Sequence, residues 1–551
     1  MSNKQLAFVL ILAWGAAYAA DRRWGAPLGQ QERDYPKPAY VQYPKLSDDQ
    51  LMYLARHIAR QTESRSGSLG LLEPGKKGLI LVKPNQDPRI MEAVVKAVRE
   101  RGSDVVVMKT TELMEMYGYP RNFARDDNHD PVREPDAQFA VRMTEYRYDK
   151  SHFSPEAWAH MPDVAMDIDE RVKRLHLKNE LLKKYLDTHP DVCCAFVEWM
   201  GSDFRTRELL ELIGTKYQSS WRFESIDRLI EDGQIPGEVW RAVEQKVMEV
   251  IPWIRHVHVT DPEGTDLEYD VNAEEAGYWF QGAYGPDYMR MYPQQATHAI
   301  NLVIGKDVQV IPDSHGKLGG TRGHFFATIP HMTLTIEHGV VAKVEGGGLQ
   351  GKMMDDLRLR YKDLQIPYFR FPGWAHLYHM EMPVNPKDGT REIAWGFGVE
   401  TTIKEALDYE IKHNIPLYHD WHFENYFPTF EITLSSGKKR RLIEKGYLTV
   451  LEDPEIRAIA SKYGDPADIL KPEGATPVPG INAPGDYWNE YAPNPQAYWL
   501  KERELVKSGK STYIVKLLPR KLEEIAGQQQ AQNQPYRPAN AAGISSFFGV
   551  Q

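Results

Sequence analysis

Residues 71–109 read LLEPGKKGLILVKPNQDPRIMEAVVKAVRERGSDVVVMK, and their order decides the fold. Gly78 to Lys83 is a short apolar run that predicts a strand. Asp87-Pro88 predicts a helix start, because proline in the first turn gives up an N–H that would be unbonded anyway. Ile90, Ala93, Val94, Ala97 and Val98 then recur at helical spacing, and Gly102 marks the end of the helix. Val105 to Met108 is the next strand. Strand, helix, strand at this spacing is a βαβ unit, so the two strands pair in parallel. The first turn has no G-x-G-x-x-G, which removes the usual signal for dinucleotide binding.

Toward the N-terminus, MSNKQLAFVLILAWGAAYAADRR carries Lys4, an apolar run from Leu6 to Trp14, and Ala17 and Ala19 in an A-x-A arrangement. That predicts a secretory signal peptide over residues 1–20, too short in its apolar part to span a bilayer. Residues 21–70 read as an extended arm rich in Pro and Tyr followed by a helix over Asp48 to Arg65. The α/β domain is expected over 71–295. It includes a loop-rich, helix-bearing insertion at 110–185, a helix at Asn179 to Leu186, and a strand at Val192 to Glu198. Two helices are expected over Ser225 to Ile251, and a hairpin in IRHVHVTDPEGTDLEYDV turns at Pro262-Glu263-Gly264. From about Ala299 the texture changes to strands with turns at Gly319-Gly320 and His338-Gly339, then a helix over Lys352 to Leu364. Residues 296–470 are read as an α+β metal-binding catalytic domain rich in antiparallel strands. A helical stretch at Thr402 to Lys412 and a hairpin in FEITLSSGKKRRLIEKGYLTVL belong to it. Residues 471–551 read as an irregular C-terminal extension with one more helix and a polar tail, GQQQAQNQPYRPANAAG.

A chain of 551 residues exceeds one simple core, and 42% hydrophobic with 26% charged residues is globular. The net charge of −10 and the lack of a notable basic run argue against a nucleic-acid partner. Nothing reaches the apolar length of a membrane span. The two cysteines, Cys193 and Cys194, are adjacent. They exclude a disulfide framework and a cysteine-based metal or Fe–S site, and DVCCAFVEWM reads as a buried strand with the pair as core packing.

The candidate chemistry concentrates in Trp374 to Glu431. His376, His379 and Glu381 form one cluster, His419, Asp420, His422 and Glu424 another, with His413 between them. Imidazole with carboxylate is the donor set of Zn, Mn and non-haem Fe(II) sites. His419 and His422 would share a face on a helix; on a strand His422 would instead share one with Glu424. The aromatics and Pro428 favour a strand or loop. His376 and His379 raise the same question, with Glu381 in strand parity with His379. His376, His379, His419, His422 and Glu424 are therefore the candidate metal ligands, with Tyr378 as a candidate proton or hydrogen-bond donor. His315 and His324 flank Gly319-Gly320 and are candidate catalytic groups. Arg322 can pair with a substrate carboxylate through two hydrogen bonds.

Several stretches together resemble the superfamily that groups the thermophilic metallo-aminopeptidases of the aminopeptidase T type with the 2,5-dihydroxypyridine 5,6-dioxygenases. The resemblance covers roughly residues 50–450. PGKKGLILVKPNQDPRIMEAVVKAVRERGSDVVVM is similar to the family's opening βαβ unit. DPEGTDLEYDV is similar to its G-T-D-L strand, LTIEHGVVAKVEGGG to the hairpin that introduces the metal-binding half, and REIAWGFGVE to its glycine-rich segment. LYHDWHFENYFPTFEI is similar to its terminal H-x-D segment. Glu392 stands where the resemblance to the dioxygenases implies a histidine, and joins the candidate ligands on that basis. The chain departs from the two-metal peptidase pattern: it has no clean G-E before the His region and no terminal H-x-D, with His419-Asp420 and His422-x-Glu424 in its place. The departures fit one metal better than two, which is closer to the dioxygenase branch and its two-His-one-carboxylate Fe(II) centre.

The expected function is a mononuclear non-haem Fe(II) oxygenase that cleaves a hydroxylated aromatic or N-heteroaromatic ring. The alternative is a metallo-aminopeptidase or amidohydrolase whose Zn, Mn or Co ion activates water. A third reading is a non-catalytic assembly subunit, since long terminal arms commonly wrap neighbouring protomers. The expected partners are a small-molecule substrate and further copies of the chain. The location is periplasmic or secreted if the signal peptide is real, and cytoplasmic otherwise.

Overall fold

The computed structural model describes residues 33–42, 46–60, 69–82, 88–119, 168–198, 212–220, 237–250, 253–271, 297–301, 313–323, 328–365, 371–373, 375–383, 393–397, 421–472 and 474–516. Residues 1–32, most of the 110–185 insertion, the first of the two helices expected over 225–251, Thr402 to Lys412 and the tail after 516 lie outside them.

Strand β1 (Tyr40–Gln42) belongs to the N-terminal arm. The opening α/β unit then follows the sequence reading closely. Strands β2 (Lys77–Val82) and β3 (Asp104–Lys109) flank a helix, Pro88–Glu100. That helix begins at the proline and is followed by Gly102 at a φ of +82°. Strands β4 (Val192–Glu198) and β5 (Tyr217–Ser220) complete a parallel sheet in the order β3-β2-β4-β5. The apolar run of β2 is buried on both faces. Ile80 and Val82 join the core under Ile90, Val94 and Ala97, while Leu79 and Leu81 join Leu181, Leu182 and Leu186 of the helix Ile168–Thr188. Continuous rather than alternating apolar sequence is what a parallel strand covered on both sides requires.

The second sheet has twelve strands, antiparallel throughout. In chain order they are β6 (Ile254–Asp261), β7 (Thr265–Asp270), β8 (Thr297–Asn301), β9 (His315–Gly323), β10 (Thr328–Glu337) and β11 (Val340–Gly346). They continue as β12 (Leu377–Pro383), β13 (Ile393–Phe397), β14 (Trp421–Asn425), β15 (Thr429–Leu434), β16 (Lys439–Glu444) and β17 (Tyr447–Leu448). The path β17-β16-β15-β6-β7-β9-β14-β13-β12-β8 branches at β9, which also carries β10 and through it β11. Strand β7 alternates buried and exposed side chains along its length, so one face is covered. The cover includes the helix Gly237–Val250, whose Val239, Val243 and Val247 share a core with Val257, Val259 and Leu267. Among the described residues no helix is long and apolar enough to cross a membrane.

One expected turn is not there. Gly319-Gly320 lies within β9, which runs unbroken from His315 to Gly323. The glycines serve close approach instead. A Cβ on Gly319 would sit 2.7 Å from the Glu263 carbonyl oxygen, and one on Gly320 would sit 3.1 Å from the Phe423 ring. The His338-Gly339 turn forms as expected between β10 and β11.

The C-terminal segment packs as an aromatic module. Tyr487 and Tyr491, with Tyr498 and Trp499 against them, gather around Tyr426 and Phe427 from the sheet. Strand β18 (Ile514–Lys516) pairs in parallel with β1, so the two terminal arms meet.

Candidate metal centre

The β10–β11 hairpin ends in a two-residue loop, His338-Gly339, with φ of +55° and +74°. Such a loop needs left-handed backbone at both positions, which matches the right-handed twist of the strands. The turn is held from two sides. Gly339 N donates to the Ser314 carbonyl (3.0 Å), and Leu377 N donates to the Gly339 carbonyl (2.9 Å). The first bond brings the turn against the segment that opens β9.

That contact assembles three side chains. Asp313 Oδ1 lies 2.9 Å from His315 Nε2 and 2.7 Å from His338 Nδ1. The two imidazoles meet edge to face, with centroids 4.9 Å apart. One ligand atom from each residue falls within 4.8 Å of the others. Both Asp313 contacts are at hydrogen-bond distance; neighbouring ligand atoms of a six-coordinate ion bound at about 2.1 Å also lie about 3 Å apart, so the same three atoms can hold one ion in place of those contacts. The side chains are 45–53% exposed, which leaves the group open to solvent and to a substrate.

Behind the group stands a buried support. The Phe371 ring stacks on His338 at 4.6 Å and 28°. The Phe371 carbonyl accepts from His376 Nε2 (2.9 Å), and His376 is only 1% exposed. His376 thus holds Phe371, and Phe371 covers one face of the His338 ring.

The residues named from sequence are distributed as follows. His315 is in the group, with Asp313 and His338 as its partners. Neither of those was a candidate from sequence, because they are separated by 25 residues and meet only through the hairpin. His376 is buried one layer behind. Glu424 and Arg322 are cross-strand neighbours in β14 and β9, and they pair with each other, Nε to Oε2 at 2.6 Å, nearly out of solvent. Tyr378 and His379 fall in β12 and His422 in β14, and only their backbone is described. His324, Glu392 and His419 lie outside the described residues.

A second polar cluster lies under the C-terminal module. Glu263, in the turn between β6 and β7, is fully buried. Its Oε1 accepts from Thr321 Oγ1 (2.7 Å) and from the Tyr487 hydroxyl (2.8 Å). Its Oε2 is buried with no hydrogen-bond partner among the described residues. Asp261 accepts from the backbone N–H of Glu263 and of Phe427, both at 2.9 Å. Burial pushes both carboxyls well above the ordinary carboxylate range; for Glu263 the neighbouring Asp261 adds to the rise, against the Thr321 and Tyr487 hydrogen bonds and the Arg322 charge. A cavity of about 230 Å³ opens beside Asp261, bordered by Tyr35, Phe427, Arg441, Glu444 and Lys445. Nothing in the sequence signals this cluster, since a D-P-E-G turn ordinarily faces water.

No family model matches this chain, and no curated protein matches it in sequence. Among solved structures it is similar to a 2,5-dihydroxypyridine dioxygenase from Pseudomonas putida KT2440, at 12% identity over 73% of this chain and 98% of that one, with a TM-score of 0.41. Similarity at that level says nothing about this chain's site.

Proposed function

We propose that this chain is a metal-dependent enzyme holding one divalent ion, Fe(II) before Zn, Mn or Co, between Asp313, His315 and His338, and that it acts as a mononuclear non-haem oxygenase. The observation that carries the reading is the donor set itself. Two imidazoles and one carboxylate, from segments distant in sequence, converge with ligand spacing. Two histidines with one carboxylate leave three positions of a six-coordinate ion for substrate and O₂, the arrangement typical of Fe(II) oxygenases. The sequence resemblance to the dihydroxypyridine dioxygenases supplies the substrate class, a hydroxylated aromatic or N-heteroaromatic ring.

The protein's own part is orientation. Asp313 contacts both rings and sets them edge to face. The hairpin turn fixes the His338 backbone, and Phe371, held by His376, fixes its ring plane. His376 is therefore a positioning residue in this proposal, and Glu424, paired with Arg322, belongs to the interior. Among the described residues this is the one group of three or more such donors.

The test is metal content of anaerobically purified protein by elemental analysis. About one iron per chain is expected in the wild type, with loss of iron in H315A and in H338A while circular dichroism stays unchanged. Full metal content in the H315A/H338A double variant would overturn the assignment. Loss of metal in H422A with retention in the double variant would move the site to the 419–424 segment.

A further inference from the structure

The chain has two cysteines, and both lie in β4. On a regular strand, consecutive side chains point to opposite faces. Strand β4 is not regular there. In its parallel pairing with β2, Lys77 faces Val192 and Gly78 faces Cys194, so Cys193 is an extra residue with no partner position. An inserted residue of this kind resets the alternation and lets neighbouring side chains lean together. The two sulfurs are 3.7 Å apart. Cys193 is exposed and Cys194 half-buried, the latter packed against the core that contains Ile80 and Phe196. The core packing expected for the pair therefore holds only for Cys194, and the sequence-based exclusion of a cysteine metal site covers multi-cysteine sites but not a two-thiolate one.

That spacing has a chemical meaning. Two thiolates bound to one tetrahedral ion at about 2.3 Å stand about 3.8 Å apart. The observed separation therefore needs almost no movement to become the bite of a chelate. A disulfide between the same residues is disfavoured. Adjacent Cα atoms are about 3.8 Å apart, below the roughly 4.4–6.8 Å span that an unstrained disulfide bridges. The bulge presents two thiols to one centre without favouring their coupling to each other.

We propose that Cys193 and Cys194 form a two-thiolate site for one soft, thiophilic ion of the Zn²⁺/Cd²⁺ class, separate from the Asp313 group. Binding breaks two S–H bonds, releases two protons to solvent and forms two S–metal bonds, with no change of oxidation state. The exposed side of Cys193 leaves the remaining coordination positions to water or to a small external thiol.

The test uses the full-length reduced chain and Cd²⁺ alone, titrated against a competing chelator. The readouts are the ultraviolet thiolate-to-cadmium charge-transfer band and the blocking of iodoacetamide alkylation, followed by mass spectrometry. Both report sulfur and are silent on histidine or carboxylate ligation. One Cd²⁺ per chain should raise the band and protect both thiols. C193S and C194S should each weaken binding by about 100-fold or more, the usual gain from tethering a second donor. The H315A/H338A variant should retain the band in full. The proposal fails if saturating Cd²⁺ leaves either wild-type thiol alkylated at its metal-free rate, or if the single-serine variants bind as tightly as the wild type. The wild-type protection measurement decides the matter even if C194S does not fold.

Discussion

Replacing Glu263 by glutamine should change how stability depends on pH, and the size of the change follows from the cluster around it. In an unfolded chain Glu and Asp titrate near about 4.3 and 3.9. In the fold, burial raises both Glu263 and Asp261 well above that. Between the two ranges the folded chain binds more protons than the unfolded one, so stability is greatest in acid and falls as pH rises. Each carboxyl held neutral contributes a slope of roughly −1 kcal/mol per pH unit, on the order of 2–3 kcal/mol between pH 5 and pH 7. In E263Q the amide oxygen still accepts from Thr321 and Tyr487, while an NH₂ with two donors replaces the single O–H of the neutral carboxyl at Oε2, which has no hydrogen-bond partner among the described residues, so one further donor is left unbonded. A buried unbonded donor costs about 1–3 kcal/mol. E263Q should therefore be less stable than wild type at pH 5 by that amount, with a slope shallower by one carboxyl's share. The two curves should meet about one to two pH units higher. Urea denaturation at half-unit steps from pH 5 to pH 8, followed by tryptophan fluorescence, measures this directly. Parallel curves for wild type and E263Q would refute the reasoning, because they would mean that Glu263 gains no proton on folding.

Two further perturbations probe the sheet. Glu424→Ala removes the carboxylate 2.6 Å from Arg322 Nε, where both side chains are at least nine-tenths buried, and should cost about 3–5 kcal/mol. The R322M/E424L double variant should recover most of that in the same denaturation assay; a loss under about 1 kcal/mol for E424A would show that the pair is not desolvated. Gly316→Ala would place a Cβ 2.1 Å from the Asp266 carbonyl oxygen at a φ of +132°, and should break the β7–β9 pairing at a cost of more than about 3 kcal/mol. Gly437→Ala, at a φ of +79° with nothing within 4 Å, should cost only about 1–2 kcal/mol. Equal melting temperatures for the two alanine variants would show that the clash at residue 316 is relieved by a small backbone shift.

What the sequence disclosed divides along the range of the interactions involved. The β2–helix–β3 unit was legible because its signals are local: an apolar run, a proline at the helix start, a 3.6-residue repeat and a glycine stop. The β6–β7 and β15–β16 hairpins were legible for the same reason. Gly319-Gly320 misled because two glycines in a row read as a turn, whereas here they admit the Glu263 carbonyl and the Phe423 ring to the strand. Glu263 and Asp261 were invisible because nothing in a D-P-E-G turn announces that a C-terminal tyrosine, 224 residues away, will close over it.

The histidine-dense stretch from Trp374 to Glu431 drew attention by local density, which cannot show a group such as Asp313, His315 and His338 whose members come from separate segments. His338 was overlooked because it occupies a turn. Yet that turn held a signal. A two-residue hairpin loop strongly prefers Asn, Asp or Gly at its first position, where the backbone is left-handed. Among the described residues the non-glycine positions at positive φ are His338 and Lys445, each followed by a glycine. A bulky residue there costs about 1–2 kcal/mol relative to glycine. At His338 the same backbone conformation directs the ring to Asp313 and against Phe371. In this chain the imidazole at the left-handed position of the hairpin coincides with its contacts to Asp313 and Phe371, and the His338-Gly339 pair between two apolar runs is the sequence feature that points there.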